Sequence, residues 1–358
     1  MINSKRFFAL DAFRGIAALL VFLYHMPDLS ILTSNDFCSK SGIFVDLFFI
    51  LSGFVIYHNY KNKSFDQTMR LTFIKKRLKR LLPLHFYTLF VLLGLEIIKY
   101  LSYDYLPFSQ APFSANSWDS FWPQLLLVNS TPFFVDFSWN GPNWSISAEL
   151  ISYLFFVLTS VLSFRKLQIS FLISAFVVGL GYLFFYINYD TFDTTIDFNF
   201  SFIRGLIGFN LGVCTYIIAS RCQMIYKKIS KTVATLFELI AIISVISLVS
   251  AINPEIKDNF YILHLVFSLL IFVFSFEGGI LSNMFKLSGF QNIGHWSYSI
   301  YLNHFFLIAI FQMVAVKLLK LQGAWILIAE NVLLIILLFY SRITYNRIER
   351  RFYNRLNK

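Results

Sequence analysis

Ten apolar runs of seventeen to twenty-one residues divide the 358-residue sequence, at 8–26, 42–58, 81–101, 144–164, 168–188, 201–220, 232–252, 260–276, 297–316 and 324–342. Each is long enough to cross a hydrocarbon core of about 30 Å as a helix, and a helix satisfies its own backbone hydrogen bonds where there is no water to do so. The expected fold is therefore all-α, a polytopic integral membrane protein of about ten transmembrane helices. Composition agrees: with 57% hydrophobic and 14% charged residues, there are too few polar side chains to cover a water-soluble domain of this length. The longest segment outside the runs is 102–143, too short for a second domain, so 1–358 reads as a single membrane domain.

A net charge of +11 might point to nucleic acid, but the basic residues follow topology rather than one folded surface. With the N-terminus inside, 23 of the 30 Lys and Arg fall on cytoplasmic segments. Only Lys40, Lys99, Lys257, Lys317 and Lys320 fall outside, and Arg14 and Arg204 lie within runs. Both termini are expected to be cytoplasmic. Lys5 and Arg6 precede the first run, but no small-residue cleavage site follows and Asp11 and Arg14 interrupt it, so it reads as an uncleaved helix. Segment 102–143 is expected to be an ordered outer loop against the membrane face, with Pro107, Pro112, Pro123, Pro132 and Pro142, three tryptophans, and no Lys or Arg. The next outer segment is acidic, with Asp190, Asp193 and Asp197, whereas the cytoplasmic loop 59–80 is basic. Its cluster Lys75, Lys76, Arg77, Lys79 and Arg80 suits either anionic lipid or a phosphorylated cofactor entering the bundle. Cys38, Cys214 and Cys222 have neither metal-type spacing nor a shared segment, so neither a disulfide nor a metal site is expected.

Ionisable residues inside a span are costly, so each is a functional hypothesis with an interhelical contact as its structural alternative. Arg14 and His25 are eleven residues apart, a net rotation of about 20° and a rise of about 16 Å, so they share one helix face. Asp11, three residues before Arg14, is placed to pair with it. A histidine accepts a proton near neutral pH and an arginine does not lose one, so the pair suggests a general base and an anion holder along one conduit. Ser145, Glu149 and Tyr153 recur every four residues on one face, and Tyr298, Tyr301 and His304 every three on another. Glu149 is a candidate to orient His25 or bind substrate, and Asp46 a candidate partner for Arg14. Arg204 would meet a donor phosphate or a carboxylate elsewhere. Asn129-Ser130-Thr131 fits a glycosylation triplet that arises often by chance, and Ser52-Gly53 lacks the flanking glycines of a nucleophile elbow.

Taken in order, these residues resemble the acyltransferase 3 family of membrane proteins. The resemblance begins with Leu10-Asp11-Ala12-Phe13-Arg14-Gly15-Ile16-Ala17-Ala18 and His25. It continues through Val45-Asp46-Leu47-Phe48-Phe49-Ile50-Leu51-Ser52-Gly53-Phe54, then Phe73 with Lys76-Arg77-Leu78-Lys79-Arg80-Leu81-Leu82-Pro83. Trp144-Ser145-Ile146-Ser147-Ala148-Glu149 with Tyr153, Arg204 with Gly212, and Ile293-Gly294 with Ser297-Tyr298-Ser299-Ile300-Tyr301-Leu302 and His304 complete it. Ala148 stands where a bulkier residue is usual, and Arg350 follows Glu349 where proline is common. The resemblance implies transfer of an acyl group, most often acetyl from acetyl-CoA, to a hydroxyl of an envelope glycan or lipid-linked sugar. His25, Arg14 and Glu149 would be catalytic; Arg14, Lys76, Arg77, Arg80 and Arg204 would hold the donor. Asp11, Asp46, Trp144, Ser145, Tyr153, Tyr298, Tyr301 and His304 would bind substrate or support the site. The implied location is the bacterial cytoplasmic membrane, with membrane lipid as surroundings and no metal or nucleic acid. The competing expectation is a secondary transporter in which Arg14, Glu149 and Arg204 bind an anion and His25 relays protons, though no paired repeat supports it.

Overall fold

A computed structural model describes residues 6–29, 33–106, 108, 110–133, 138–163, 166–195, 198–251 and 260–354. Lys5, Pro107, Arg165, Asp197, Lys257 and the expected span ends at 164 and 252 lie outside the described residues. The helices are α1 (Phe8–His25), α2 (Asp36–Ser39), α3 (Phe44–Tyr60), α4 (Gln67–Ser102), α5 (Trp118–Leu126), α6 (Trp144–Ser163) and α7 (Leu167–Tyr189). They continue with α8 (Ser201–Tyr226), α9 (Lys231–Ala251), α10 (Phe260–Phe274), α11 (Ile280–Met284), α12 (Ser288–Phe311), α13 (Ala324–Thr344) and α14 (Arg350–Asn354). Among the described residues nine helical stretches are long and apolar enough to cross a membrane, and α10, at 15 residues, is a shorter tenth. The protein is an all-α, polytopic integral membrane protein.

The third expected span is the largest departure from the sequence reading. α4 runs for 36 residues, about 54 Å at 1.5 Å per residue, so it projects well beyond a 30 Å hydrocarbon core. Its first four turns carry the basic cluster, which is therefore helix from Gln67 onward rather than loop. Lys, Arg, Leu and Met favour helix, and the Asp66 side chain caps the start by accepting from the Met69 N–H at 2.7 Å. Pro83 sits inside this helix, and the Tyr298 hydroxyl donates to the Leu81 carbonyl at 2.7 Å beside it.

The 102–143 segment is tied into the bundle, not merely laid on the membrane face. Buried Glu96 accepts from the Phe113 N–H at 2.9 Å and from Asn116 Nδ2 at 2.7 Å. Asn143 Nδ2 meets His85 Nδ1 at 2.7 Å, and Gln124 Nε2 donates to the Ser138 carbonyl at 2.9 Å. Trp118 and Trp122 of α5 stay exposed, while Trp139 is buried. This division suits interfacial rings on one side and a polar anchor on the other.

Two helix crossings fix the centre, both through glycine because lipid-embedded helices gain most by close backbone approach. A Cβ on Gly15 of α1 would lie 2.6 Å from the Ile293 carbonyl carbon of α12. A Cβ on Gly212 of α8 would lie 2.7 Å from the Phe54 nitrogen of α3. The first crossing holds α1 along α12 and so decides which side chains of those helices can meet.

Candidate active site

Three cavities follow one another through the bundle, beside α1. The first, of about 590 Å³, opens at the end of the bundle where α4 projects. Six cations line it, Arg14, Lys63, Lys76, Arg77, Arg80 and Arg350, against the carboxylates Asp11 and Glu349. Helical periodicity sorts the basic cluster of α4: Lys76, Arg77 and Arg80 fall on the face toward the cavity, whereas Lys75 and Lys79 are exposed. Both carboxylates are already engaged. Asp11 takes the Arg6 Nε at 2.7 Å, and the Ser299 hydroxyl donates to Glu349. Asp11 thus pairs with Arg6 and not with Arg14 as expected, because Arg6 at the foot of α1 reaches back to it. Among the described residues no side-chain hydrogen bond or ion pair holds Arg14, which leaves its guanidinium to the cavity.

The second cavity is a constriction of about 50 Å³, room for a few water molecules. It shares Arg14, Arg80, Ser297 and Tyr298 with the first and is closed in part by Glu149, Ser145 and Tyr301. Glu149 accepts from Ser52 Oγ at 2.8 Å and from the Tyr153 hydroxyl. It lies here, facing Arg14 and Arg80, and does not orient His25. Ser145 and Glu149 therefore form one wall of the constriction, and Tyr153, hydrogen-bonded to Glu149, does not line it. The Tyr301 hydroxyl donates to the Pro142 carbonyl at 2.9 Å and lies 2.7 Å from Ser145 Oγ.

The third cavity, of about 560 Å³, opens at the opposite end and contains His25, Tyr24, Lys40, Trp144, Asp193, Arg204 and Phe305. Tyr301 and Val45 line both it and the constriction. Arg14 and His25 accordingly do not share one cavity. They stand at either end of a connected run, with the Tyr301 ring as the partition. His25 Nδ1 lies 2.9 Å from the Val21 carbonyl and 3.3 Å from Nε2 of His304, which is buried. A carbonyl only accepts, so Nδ1 carries the proton and Nε2 of His25 is the basic nitrogen.

The expectation for Asp46 is corrected, and of the two expected partners of Arg204 the structure shows the carboxylate elsewhere. Arg204 Nε and Nη2 donate to the two Asp46 oxygens, both at 2.7 Å, and its guanidinium lies 5.1 Å from the Trp144 ring centroid. Asp46 is thus the partner of Arg204 rather than of Arg14. Arg204 sits on the third cavity, at the far end from the basic cluster, so it is not placed with the residues expected to hold a donor. The sequence reading missed His264, whose Nε2 lies 3.3 Å from Asp46 Oδ1 and whose Nδ1 meets the Tyr182 hydroxyl at 2.5 Å. It also missed His85, and both could have been found by the test that singled out Arg14, an ionisable group inside an apolar run.

Buried ionisable side chains gathered along a connected run of cavities in a helical membrane domain mark a functional site. A family model described as an acyltransferase domain matches residues 7–342, and the chain belongs to that family, acyltransferase 3. It is similar to acyltransferase MdmB of Streptomyces mycarofaciens, 32% identical over 160 residues, which are 42% of this chain and 38% of that one. It is also similar to protein 2 in picA locus of Rhizobium radiobacter, 42% identical over 82 residues, 23% of this chain and 41% of that one. The matched regions thus span about two fifths of each of these relatives. No solved structure matches the chain.

Proposed function

We propose that this protein is a membrane O-acyltransferase that moves an acyl group, in the first instance acetyl, from an acyl-CoA to a hydroxyl of a cell-envelope glycan. The observation that carries this reading is the run of three cavities, basic at one end and ending on the His25 imidazole at the other. Its topology follows the positive-inside bias: the basic vestibule faces the cytoplasm of a bacterial inner membrane, where CoA is made, and the third cavity faces outward.

The vestibule fits a polyanionic donor. Lys76, Arg77 and Arg80, with Lys63 and Arg350 near them, would hold phosphates by charge-assisted hydrogen bonds, and 590 Å³ is within the range of small-molecule sites. Arg14, which no side-chain hydrogen bond or ion pair holds among the described residues, steadies the donor where it enters the waist. The rise of about 16 Å from Arg14 to His25 then suits a long, thin arm that brings its thioester to the Tyr301 partition. His25 Nε2 removes the proton of the acceptor hydroxyl as that oxygen bonds to the acyl carbon. The bond from carbon to sulfur breaks, and the proton held on His25 goes to the departing thiolate. A 50 Å³ waist favours passage of a small acyl group over passage of a whole glycan, which is what a permease would require. That the relative MdmB is an acyltransferase by name supports this reading.

The test is transfer of labelled acetyl from acetyl-CoA to envelope glycan in proteoliposomes by His25→Ala. Loss of rate by about 10²–10⁴-fold is expected, the usual contribution of general acid–base catalysis, with donor binding retained. Transfer at the parent rate would overturn the assignment.

A further inference from the structure

The geometry points to His304 as the positioning residue for His25: its Nε2 lone pair accepts the Nδ1–H of His25 and so presents His25 Nε2 to the acceptor. This rests on the reading of His25 as the base. The argument begins with a proton count. The Val21 carbonyl at 2.9 Å can only accept, so His25 Nδ1 is the protonated nitrogen. Nε2 of His304, 3.3 Å from the same atom, must then be an acceptor, which puts the His304 proton on Nδ1. The Ile300 and Tyr301 carbonyls, one turn back on α12, are the acceptors near the His304 ring, which suits a proton on Nδ1. With its proton there, His304 keeps its lone pair on Nε2, where His25 needs it.

No carboxylate is hydrogen-bonded to His25 among the described residues, and Glu149 is committed to the waist. A neutral imidazole therefore takes the place that an acid fills in Ser-His-Asp sites, fixing the ring's tautomer and orientation. When His25 Nε2 takes the acceptor proton, the imidazolium charge is shared along its Nδ1–H toward His304 Nε2, and no proton needs to leave the pair. The partnership is built in by the backbone. Gly15 and Gly294 bring α1 and α12 into contact, the ring centroids of His25 and His304 lie 4.9 Å apart, and Tyr301, one turn earlier on α12, packs 5.7 Å from His304.

The experiment compares His304→Leu with His304→Gln in acetyl transfer under saturating and limiting acetyl-CoA, beside His25→Ala. His304→Leu should lower kcat by about 10–100-fold, the usual effect of removing the group that orients a functional histidine, with the donor KM unchanged. His304→Gln, whose amide oxygen reaches the place of Nε2 and accepts, should recover most of the loss. Equal kcat for the two variants, or parent kcat in His304→Leu, overturns the proposal. Histidine ¹⁵N chemical shifts of the unmodified protein give a second reading that does not depend on a variant folding: His25 should be the Nδ1–H tautomer, and an Nε2–H tautomer would overturn it. If His25→Ala itself transfers at the parent rate, the general-base reading falls; if His25→Ala is inactive while His304→Leu is not impaired, only the role of His304 falls.

Discussion

Replacing Asp46 with Ala should unfold this protein more readily than almost any other single change outside its cavities. Asp46 is fully buried, Arg204 is 4% exposed, and their two hydrogen bonds of 2.7 Å use both carboxylate oxygens. Removing the carboxylate leaves a guanidinium buried without its counter-charge, which costs about 3–5 kcal/mol. An unfolding entropy of about 2.1 cal/mol/K per residue gives about 0.75 kcal/mol/K for 358 residues, so the melting temperature should fall by about 4–7 °C. Helices that persist in detergent reduce that entropy, which makes the lower figure a floor. Thermal unfolding of detergent-purified protein, followed by size-exclusion of heated samples, measures it. The paired variant Asp46→Leu with Arg204→Met should recover most of the loss, because a buried ion pair exchanged for apolar groups of similar volume is often neutral. His264 would also lose its carboxylate neighbour, which adds to the cost of the single change. A single variant that melts with the parent, or a double variant no better than the single, would refute the reasoning.

Two further outcomes follow from the same geometry. Lys76→Ala and Arg77→Ala should each raise the acetyl-CoA KM about tenfold, one charge-assisted bond of about 1.5 kcal/mol, while Lys75→Ala and Lys79→Ala, on the exposed face, should leave it unchanged. Gly294→Ala drives a methyl into the Asp11 backbone and should lower the melting temperature through overpacking of about 1–3 kcal/mol, whereas Gly289→Ala, with open space around it, should not.

Much of the architecture is legible in the sequence because hydropathy has a fixed length scale in a bilayer, and a helix run of twenty residues has little else to do there. What hydropathy hides is where a span continues as polar helix. The first turns of α4 read as loop for that reason, and reading them as loop also concealed the 100° periodicity that separates Lys76, Arg77 and Arg80 from Lys75 and Lys79. The shared face of Arg14 and His25 follows from their spacing, but the Tyr301 partition between them comes from a different helix. Partners across helices are invisible in the same way. Asp46 and Arg204 are 158 residues apart, and nothing local to Asp46 distinguishes Arg204 from Arg14 as its mate. Asp11 pairs with Arg6, a neighbour just outside the run, because Arg6 at the foot of α1 can reach back to it.

The partition at Tyr301 also has an electrical meaning. Vestibules that enter a membrane protein from both sides carry each bulk potential inward, so the transmembrane voltage falls mainly across the thin layer between them. An ion crossing that layer would gain or lose about 2.3 kcal/mol per elementary charge for every 100 mV. In the proposed reaction the acyl group goes out as the acceptor's proton comes in to the thiolate, an exchange that moves no net charge, and the donor's phosphates stay among the cations on the near side. On the proposed function, such an enzyme would decorate the outside of an energised cell without drawing on the membrane potential, and the hydroxyl of Tyr301, tied to Ser145 and Pro142, stands at the partition between the two vestibules.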